Sequence, residues 1–544
     1  MTLRVVVVLA LCACAVRGDR YHGEDVGAKG AAANARQRPA PLEAERTKQF
    51  WYDEAQAAIE KRARRSSGQG KAKNIVMFLG DGMSVPTLAA ARTLLGQRQG
   101  RTGEESELSF ESFPSIGLSK TYCVNQQIAD SACSATAYLC GAKTNNGVLG
   151  LTAAVPRYNC EASLDTSTHL DSIAAWAIAD GRDAGVVTTT RITHASPAGL
   201  YAKAANRNWE RDEQVTSENV DIGQCRDIAH QLVHHYPGNE LKVILGGGRR
   251  EFYPNTTVDG EGRRGRRTDG RNLVEEWISQ KRSRNASYSY QWNKSALKDA
   301  LANPPDYVLG LFQDTHLPYH MEADQTTKPT LAEMTELAIK TLQRNEKGFF
   351  LFVESGRIDH AHHDNYAELA LDETIQMSEA VKVATDLLSE EDSLIVVTAD
   401  HAHVMSFNGY TERGGDILGR SSGSADDSVP YMTISYTNGP GARPRPEGER
   451  IDVTADNNYG ASRWRSHAEV PRSSETHGGD DVGVFARGPH HDMFSGVYEQ
   501  SQLPHLMAYA GCFGPGKHAC SAGPAIHAPI LLLVVLTICQ ILRL

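Results

Sequence analysis

The stretch Asn74-Ile75-Val76-Met77-Phe78-Leu79, running into Gly80-Asp81-Gly82, decides the fold. Its apolar run has no polar face, as a strand buried on both sides requires. The glycines end the run and leave an acid at its carboxyl end. Gly348-Phe-Phe-Leu-Phe-Val353 repeats the pattern and ends in Glu354-Ser355-Gly356. Leu394-Ile-Val-Val-Thr398 repeats it again, ending in Ala399-Asp400-His401. Val186–Thr190 and Val243–Leu245 are shorter runs, and helical patterns fall at 165–179, 330–345 and 366–390. Strands alternating with helices predict an α/β layered fold with a mainly parallel central sheet flanked by helices. Ligands of such sheets bind beyond the carboxyl ends of the strands. Asp81, Glu354 and Asp400 are all expected at that rim, where they repel one another unless a cation neutralises them.

The chain has 544 residues, 40% hydrophobic and 22% charged, which suits a large globular protein and excludes a disordered or fibrous one. Its formal charge of −10 offers nothing to nucleic acid. Residues 1–18 read as a secretory signal peptide: Arg4, the apolar run Val5–Cys12, then Ala13-Cys14-Ala15 and Gly18. The other end has small residues at Ser521-Ala522-Gly523, a spacer and the apolar tail Ile530–Cys539. That is the layout of a GPI-anchor signal, cut so that Ser521 carries the lipid and 522–544 is lost. The alternative is a short transmembrane tail. The anchored form would sit on the extracellular face of the cell membrane. Removing both signals takes Arg4, Arg17 and Arg543 and no acid, so the mature chain is more acidic still.

Between the signals, 19–40 reads as a flexible lead-in and 41–66 as an N-terminal helix. That helix is expected to start near Pro41, with Glu43 and Glu45 in its first turn and basic residues near its end. Trp51, Ala55, Ala58 and Ile59 would form its apolar stripe. A catalytic domain is expected over 67–512, with a crown-like insertion over 408–475 around a strand at Tyr431–Tyr436, and a stalk at 513–521. The polar, basic stretch 249–293 reads as a surface loop. It carries glycosylation sequons at Asn255, Asn285 and Asn293. Ten cysteines become seven once the signals are gone, and an oxidising compartment favours pairing while leaving at least one free.

Asp130-Ser131-Ala132-Cys133-Ser134-Ala135-Thr136 reads as a turn entering a helix, capped by Asp130 or Ser131. No Gly-x-Ser-x-Gly surrounds Ser131, which argues against an α/β-hydrolase elbow. Candidate ligands cluster in short groups: Asp81; Glu354 with Asp359-His360-Ala361-His362-His363; Asp400-His401-Ala402-His403; Glu475-Thr476-His477; and His194-Ala195-Ser196. Together they offer nitrogen and oxygen donors for zinc and an oxygen-rich place for magnesium. Metal ions can stabilise a serine alkoxide and a leaving oxygen, and an arginine such as Arg207 can clamp phosphoryl oxygens.

The segments Asp130-Ser131-Ala132, Gly80-Asp81-Gly82-Met83, Arg357-Ile358-Asp359-His360-Ala361-His362-His363, Thr398-Ala399-Asp400-His401 and Glu475-Thr476-His477 resemble the alkaline phosphatase family in its animal, membrane-anchored form. The resemblance runs from about residue 45 to about residue 512 and implies a three-layer α/β sandwich. It implies two zinc ions and one magnesium ion per subunit. One zinc would take Asp359, His363 and His477, and the other Asp81, Asp400 and His401. Magnesium would take Asp81, Ser196 and Glu354. Ser131 would be the nucleophile, Arg207 the phosphate clamp, and His194 and His360 would act from behind, touching phosphate or magnesium through water. His362 and His403 receive no ligand role. The implied reaction is hydrolysis of phosphate monoesters through a phosphoserine at alkaline pH, the zinc of Asp359, His363 and His477 holding first the leaving oxygen and then the attacking hydroxide.

The same resemblance implies disulfides Cys160–Cys225 and Cys512–Cys520 and an unpaired Cys140. Cys123 and Cys133 are additional to the mammalian pattern and are expected to pair, two buried thiols being the alternative. Gln313 and Lys328 stand where mammalian relatives have acids for a fourth, calcium-like site, which argues against a cation there; Lys328 can replace its charge. A homodimer is implied, with the N-terminal helix reaching over the partner and Tyr410 approaching the partner's site. Rival readings are a phosphodiesterase or sulfatase of the same fold, or a cell-surface receptor with little turnover. Sulfatases need a Cys/Ser-x-Pro-x-Arg segment, which Cys133-Ser134-Ala135-Thr136 does not provide.

Overall fold

The computed structural model describes residues 43–63, 70–423, 425–445 and 448–520. The signal peptide, the lead-in, Ser521 and the tail expected at 522–544 lie outside them. Ten strands build one central sheet. In chain order they are β1 Asn74–Gly80, β2 Ser115–Lys120, β3 Asp183–Arg191, β4 Val243–Gly247, β5 Tyr288–Gln291, β6 Tyr307–Leu311, β7 Phe349–Ser355 and β8 Ser393–Ala399. Then β9 Ala402–His403, β10 Met405–Phe407, β11 Ile434–Gly439, β12 Ala468–Pro471 and β13 His477–Gly478 lie outside the main sheet, and β14 Val482–Arg487 and β15 Gly496–Glu499 return to it. The spatial order is β15-β2-β14-β8-β1-β7-β3-β4-β6-β5, and only β14 runs against the rest.

Alternation along β1 explains the layers. Ile75, Met77 and Leu79 face one core, shared with the helices Ser131–Cys140, Ile173–Ala179 and Leu503–Gly511. Val76 and Phe78 face a second core, shared with Val85–Arg98, Leu331–Leu342 and Ala367–Leu387. Every residue of β1, β7 and β8 is buried, so the expectation of strands covered on both faces holds. The helix Leu331–Leu342 starts on a capping box, Thr330 with Glu333, and turns a stripe of Leu331, Met334, Leu337, Ala338 and Leu342 to the core.

Several boundaries differ from expectation. Glu43 and Glu45 belong to a separate 3-10 turn, Glu43–Arg46, so the following helix Lys48–Ala63 has no acid in its first turn. Trp51, Ala55 and Ile59 are its buried stripe, while Ala58 is only half-buried. The helix expected at 165–179 is a 3-10 turn, Thr166–Thr168, and a short helix, Ile173–Ala179, because Ser172 caps the second piece on its own. The strand expected at Tyr431–Tyr436 begins later, at Ile434. It pairs antiparallel with β10 and parallel with β12, a three-stranded sheet beside the main body.

The stretch 249–293 is not a surface loop. It contains the helix Leu273–Ser283 and strand β5, and its arginines divide into two kinds. Arg249 and Arg267 are buried in ion pairs, Arg249 Nε 2.7 Å from Asp259 and Arg267 Nη1 2.9 Å from Asp227. Buried guanidinium groups with full hydrogen-bonding partners are structural cross-links. Arg263, Arg264 and Arg266 remain exposed, as do Asn255 and Asn285. Asn293 is half-buried, and its side chain caps the helix Lys294–Ala302 by accepting from the Ala296 N–H at 3.0 Å.

Candidate active site

The carboxyl ends of β8, β1, β7 and β3 lie side by side, and the predicted acids meet there. Asp81 follows β1, and Glu354 is near the end of β7. Asp400 and His401 follow β8. The chain leaving β3 delivers His194 and Ser196 at a short helix, Ala195–Ala198. Gly82 takes φ +71°, and a Cβ there would meet the His403 ring at 2.3 Å, so the turn after Asp81 requires glycine. Its N–H donates to Asp400 at 2.9 Å, tying the ends of β1 and β8 together.

Among the described residues, and apart from Asp130 beside the Cys123–Cys133 disulfide, three groups of buried side chains converge closely enough to share an ion, each with its ligand atoms within 4.8 Å of one another. They are Asp359, His363, His403 and His477; Asp81, Asp359 and His401; and Asp81, His194 and Glu354. His363 Nε2 and His477 Nε2 lie 3.2 and 3.3 Å from Asp359 Oδ1. Their other ring nitrogens face the carbonyls of Glu475 and Ala129 at 2.6 and 2.7 Å, which fixes the ring orientation and leaves Nε2 for the cluster. Asp400 is not in these groups but lies 3.1 Å from His401 Nε2. Ser196 reaches Asp81 at 3.4 Å.

Orphaned atoms show that these residues fit metal ions. Asp81 Oδ1, Glu354 Oε1 and Asp359 Oδ2 are buried and make no hydrogen bond. Burial together with Asp400, Asp359 and Glu354 pushes the Asp81 carboxyl well above the usual range. Burial likewise raises Glu354. Without a cation one of these acids must hold a proton; with one, all can ionise. Asp359 with the two imidazoles His363 and His477 suits zinc, and the Asp81–Glu354 end, richer in oxygen, suits magnesium.

His403 went unassigned in the sequence, and here it sits at the centre. It donates from Nε2 to Asp359 Oδ1 at 2.7 Å and from Nδ1 to Glu475 Oε2 at 2.5 Å. Burial alone would lower its pKa, but the two carboxylates outweigh burial and push it up to about 10, so it is an imidazolium holding both. Glu475 also accepts the Val404 N–H at 2.9 Å. The short ladder β9–β13 creates this arrangement by placing His403 opposite His477. His362 is held away from the ions by Thr87 at 3.0 Å and Tyr436 at 2.9 Å, an orienting contact on each ring nitrogen.

Ser131 opens the helix Ser131–Cys140, and its Oγ is 3.2 Å from His401 Nε2. Asp130 is the cap, accepting from the Cys133 N–H at 3.2 Å and the Gly147 N–H at 2.9 Å. Its other oxygen pairs with Arg207 Nη1 at 3.0 Å, so the cap also aims the arginine beside the serine. Arg207 Nη2 lies 3.2 Å from His194 Nε2. His360 receives the Arg357 guanidinium at 2.9 Å and packs on His316, ring centroids 4.3 Å apart. His316, which also packs on His194 at 5.4 Å, gave no motif in the sequence.

Cys123 and Cys133 are paired, which staples the loop before Ser131 to the first turn of its helix. Cys160–Cys225 and Cys512–Cys520 are paired as the resemblance implied, and Cys140 is a buried thiol. At the fourth site, Lys328 Nζ donates to the Phe312 carbonyl at 2.7 Å and pairs with Glu261, while Gln313 bonds to Asp314.

A doubly covered, mainly parallel sheet with grouped acids and imidazoles at its rim, and a helix-opening serine among them, defines a metal-dependent α/β hydrolase. Comparison with known proteins narrows the class. A profile of the alkaline phosphatase family matches residues 72–513. Membrane-bound alkaline phosphatase of Bombyx mori is 62% identical over 522 residues, covering 95% of this chain and 94% of that protein. The tissue-nonspecific alkaline phosphatase of Gallus gallus is 44% identical, covering 91% of this chain and 96% of that one. Among solved structures, alkaline phosphatase of Thermus thermophilus shares the fold with a TM-score of 0.58 at 23% identity, covering 84% of this chain and 94% of the other. The chain belongs to the alkaline phosphatase family and is a metal-dependent phosphomonoesterase.

Proposed function

We propose that the chain hydrolyses phosphate monoesters through a phosphoserine at Ser131, with two zinc ions and one magnesium ion per subunit. The observation that carries this is Ser131 at a capped helix start, 3.2 Å from His401 and flanked by Arg207, which Asp130 aims. Asp359, His363 and His477 would hold one zinc, with His403 behind them. Asp81, Asp400 and His401 would hold the second, and Asp81, Ser196 and Glu354 the magnesium. Bound, these ions neutralise the phosphoryl and alkoxide charges and favour the deprotonated nucleophile.

The protein's own groups do the rest. Arg207 binds two phosphoryl oxygens and sets the ester in line with Ser131 Oγ. Ser131 gives its hydroxyl proton to solvent, its Oγ–phosphorus bond forms as the ester phosphorus–oxygen bond breaks, and the alcohol leaves with a proton from solvent. Water oxygen then bonds to the phosphoserine phosphorus as the phosphorus–Oγ bond breaks, a water proton passes to Oγ to restore Ser131, and inorganic phosphate is released. Helix N–H groups behind Ser131 favour the anionic phosphoryl group throughout. The transition state is loose, so positioning and charge neutralisation supply most of the acceleration. Ser131→Ala should abolish phosphoenzyme trapped from labelled substrate at acidic pH; a trapped phosphoenzyme in that variant would refute the assignment.

The chain is further read as a GPI-anchored glycoprotein of the outer cell surface, carrying glycans at Asn255, Asn285 and Asn293. The silkworm relative is named membrane-bound, and no helix among the described residues is long and apolar enough to cross a membrane. Release from cells by a phosphatidylinositol-specific lipase tests the anchor. Homodimerisation is supported by Tyr410, 95% exposed in the single chain. An equilibrium mass of one chain would refute it.

A further inference from the structure

Away from the metal groups, a cleft of about 170 Å³ opens between the helix Ala367–Leu387 and the chain around the three-stranded sheet. That is more than tenfold the ~10–15 Å³ that admits one water. Ile434, Trp464 and Ser466 make a buried floor, and Glu368, Asp416 and Tyr459 stand at the rim. None of these residues belongs to the metal groups or to the Ser131–Arg207 pair.

The lining has a definite chemistry. Two carboxylates face one cleft, and their charge is poorly compensated. Among the described residues Asp416 forms no ion pair, and its side chain accepts only the Leu418 N–H at 3.0 Å. Glu368 has Arg98 at 3.7 Å, but that guanidinium is closer to Asp372, at 2.5 Å. Arg420 acts on Tyr459, where Asp416 and Asp452 oppose it. The Tyr459 and Trp464 rings meet edge to face, centroids 5.1 Å apart at 89°, and form an aromatic corner. Arg443, paired with Asp456 at 2.5 Å, lies 5.4 Å from the Trp464 centroid. Asp456 fixes the indole by accepting from Nε1 at 2.9 Å. Ser466, 4% exposed, lines the cleft with a hydroxyl that makes no hydrogen bond within the described chain.

We propose that this cleft binds a small amino-alcohol cation. The ammonium group sits between Glu368, Asp416 and the aromatic corner, where carboxylates and ring faces attract it together. Ile434 and Leu418 cover its carbon skeleton. The ligand hydroxyl reaches the Ser466 hydroxyl in the lining. Inorganic phosphate does not compete, because no phosphate-binding residue lines the cleft.

The probe is choline, titrated calorimetrically into the full-length protein with inorganic phosphate saturating the active site. Its neutral isostere, 3,3-dimethyl-1-butanol, is the comparison. Choline should bind with the active site occupied, and the isostere at least about tenfold more weakly. Asp416→Asn and Glu368→Gln should each weaken choline by about fivefold or more, with phosphatase activity unchanged. Tyr459→Leu, at an exposed position that tolerates change, should weaken it similarly. No choline binding, equal binding of the neutral isostere, displacement by phosphate, or unchanged affinity in both carboxylate variants would each overturn the proposal.

Discussion

Glu475→Gln tests whether the chain behind the metal ligands matters. Glu475 touches neither Ser131 nor the phosphate clamp; it acts through His403 on Asp359. The substitution keeps the side-chain shape and the oxygen that accepts the Val404 N–H. It removes the negative charge facing the His403 imidazolium. A buried hydrogen bond to a charged partner is worth about 1.5–3 kcal/mol. At about 1.4 kcal/mol per tenfold, zinc affinity should fall roughly ten- to a hundredfold. The same range is typical for outer partners of metal ligands. Competition with a coloured chelator measures the affinity directly, and melting of the metal-free protein separates a folding defect from a metal defect. Zinc affinity within about twofold of the parent, in a protein whose metal-free melting is unchanged, would refute the reasoning.

Asp130→Ala frees Arg207 from its 3.0 Å anchor, so inorganic phosphate should inhibit about tenfold more weakly, read from inhibition constants. Replacing both Cys123 and Cys133 by serine opens a closure of sequence separation 10, and should cost about 2–3 kcal/mol of stability by calorimetry. Glu373 offers a pH test. Burial pushes its carboxyl up to about 7, so the folded protein keeps a proton that the unfolded chain sheds near its ordinary value. The resulting penalty is absent at low pH, grows as pH rises through that window, and is complete above about 7. Glu373→Gln should therefore melt at the parent's temperature near pH 5 and above it near pH 8, by an amount on the order of 1–3 kcal/mol. Equal melting at both pH values would exclude an ionised Glu373.

What was legible in the sequence followed from local pattern. Ile75–Leu79 and Phe349–Val353 announce strands covered on both faces, and the acids after them had nowhere to go but one rim. The Ser131 helix was legible because Asp130 is a strong cap. What stayed hidden depends on pairing between distant segments. His403 reads as one half of a lone His-x-His, and only the β9–β13 ladder puts it against Asp359. His316 lies in a polar segment with no periodicity, and its place beside His360 is decided by the route of the chain after β6. Arg249 and Arg267 looked like solvated surface because charge run says nothing about burial; their partners Asp259 and Asp227 decide it. Strand β14 carries little signal of its own because it is short and Gly483 interrupts its apolar run.

The β9–β13 ladder also bears on how the protein is made. Glu475 and His403 are 72 residues apart, and the intervening chain goes out through β10, β11 and β12 before it returns. A zinc ion arriving on an unfinished chain would find Asp359 and His363 adjacent in sequence, but not His477. The complete site therefore waits on the segment that carries β13, which follows β10, β11 and β12 in the chain. A single proteolytic cut between β11 and β12 should leave a folded protein that retains its metal ions poorly.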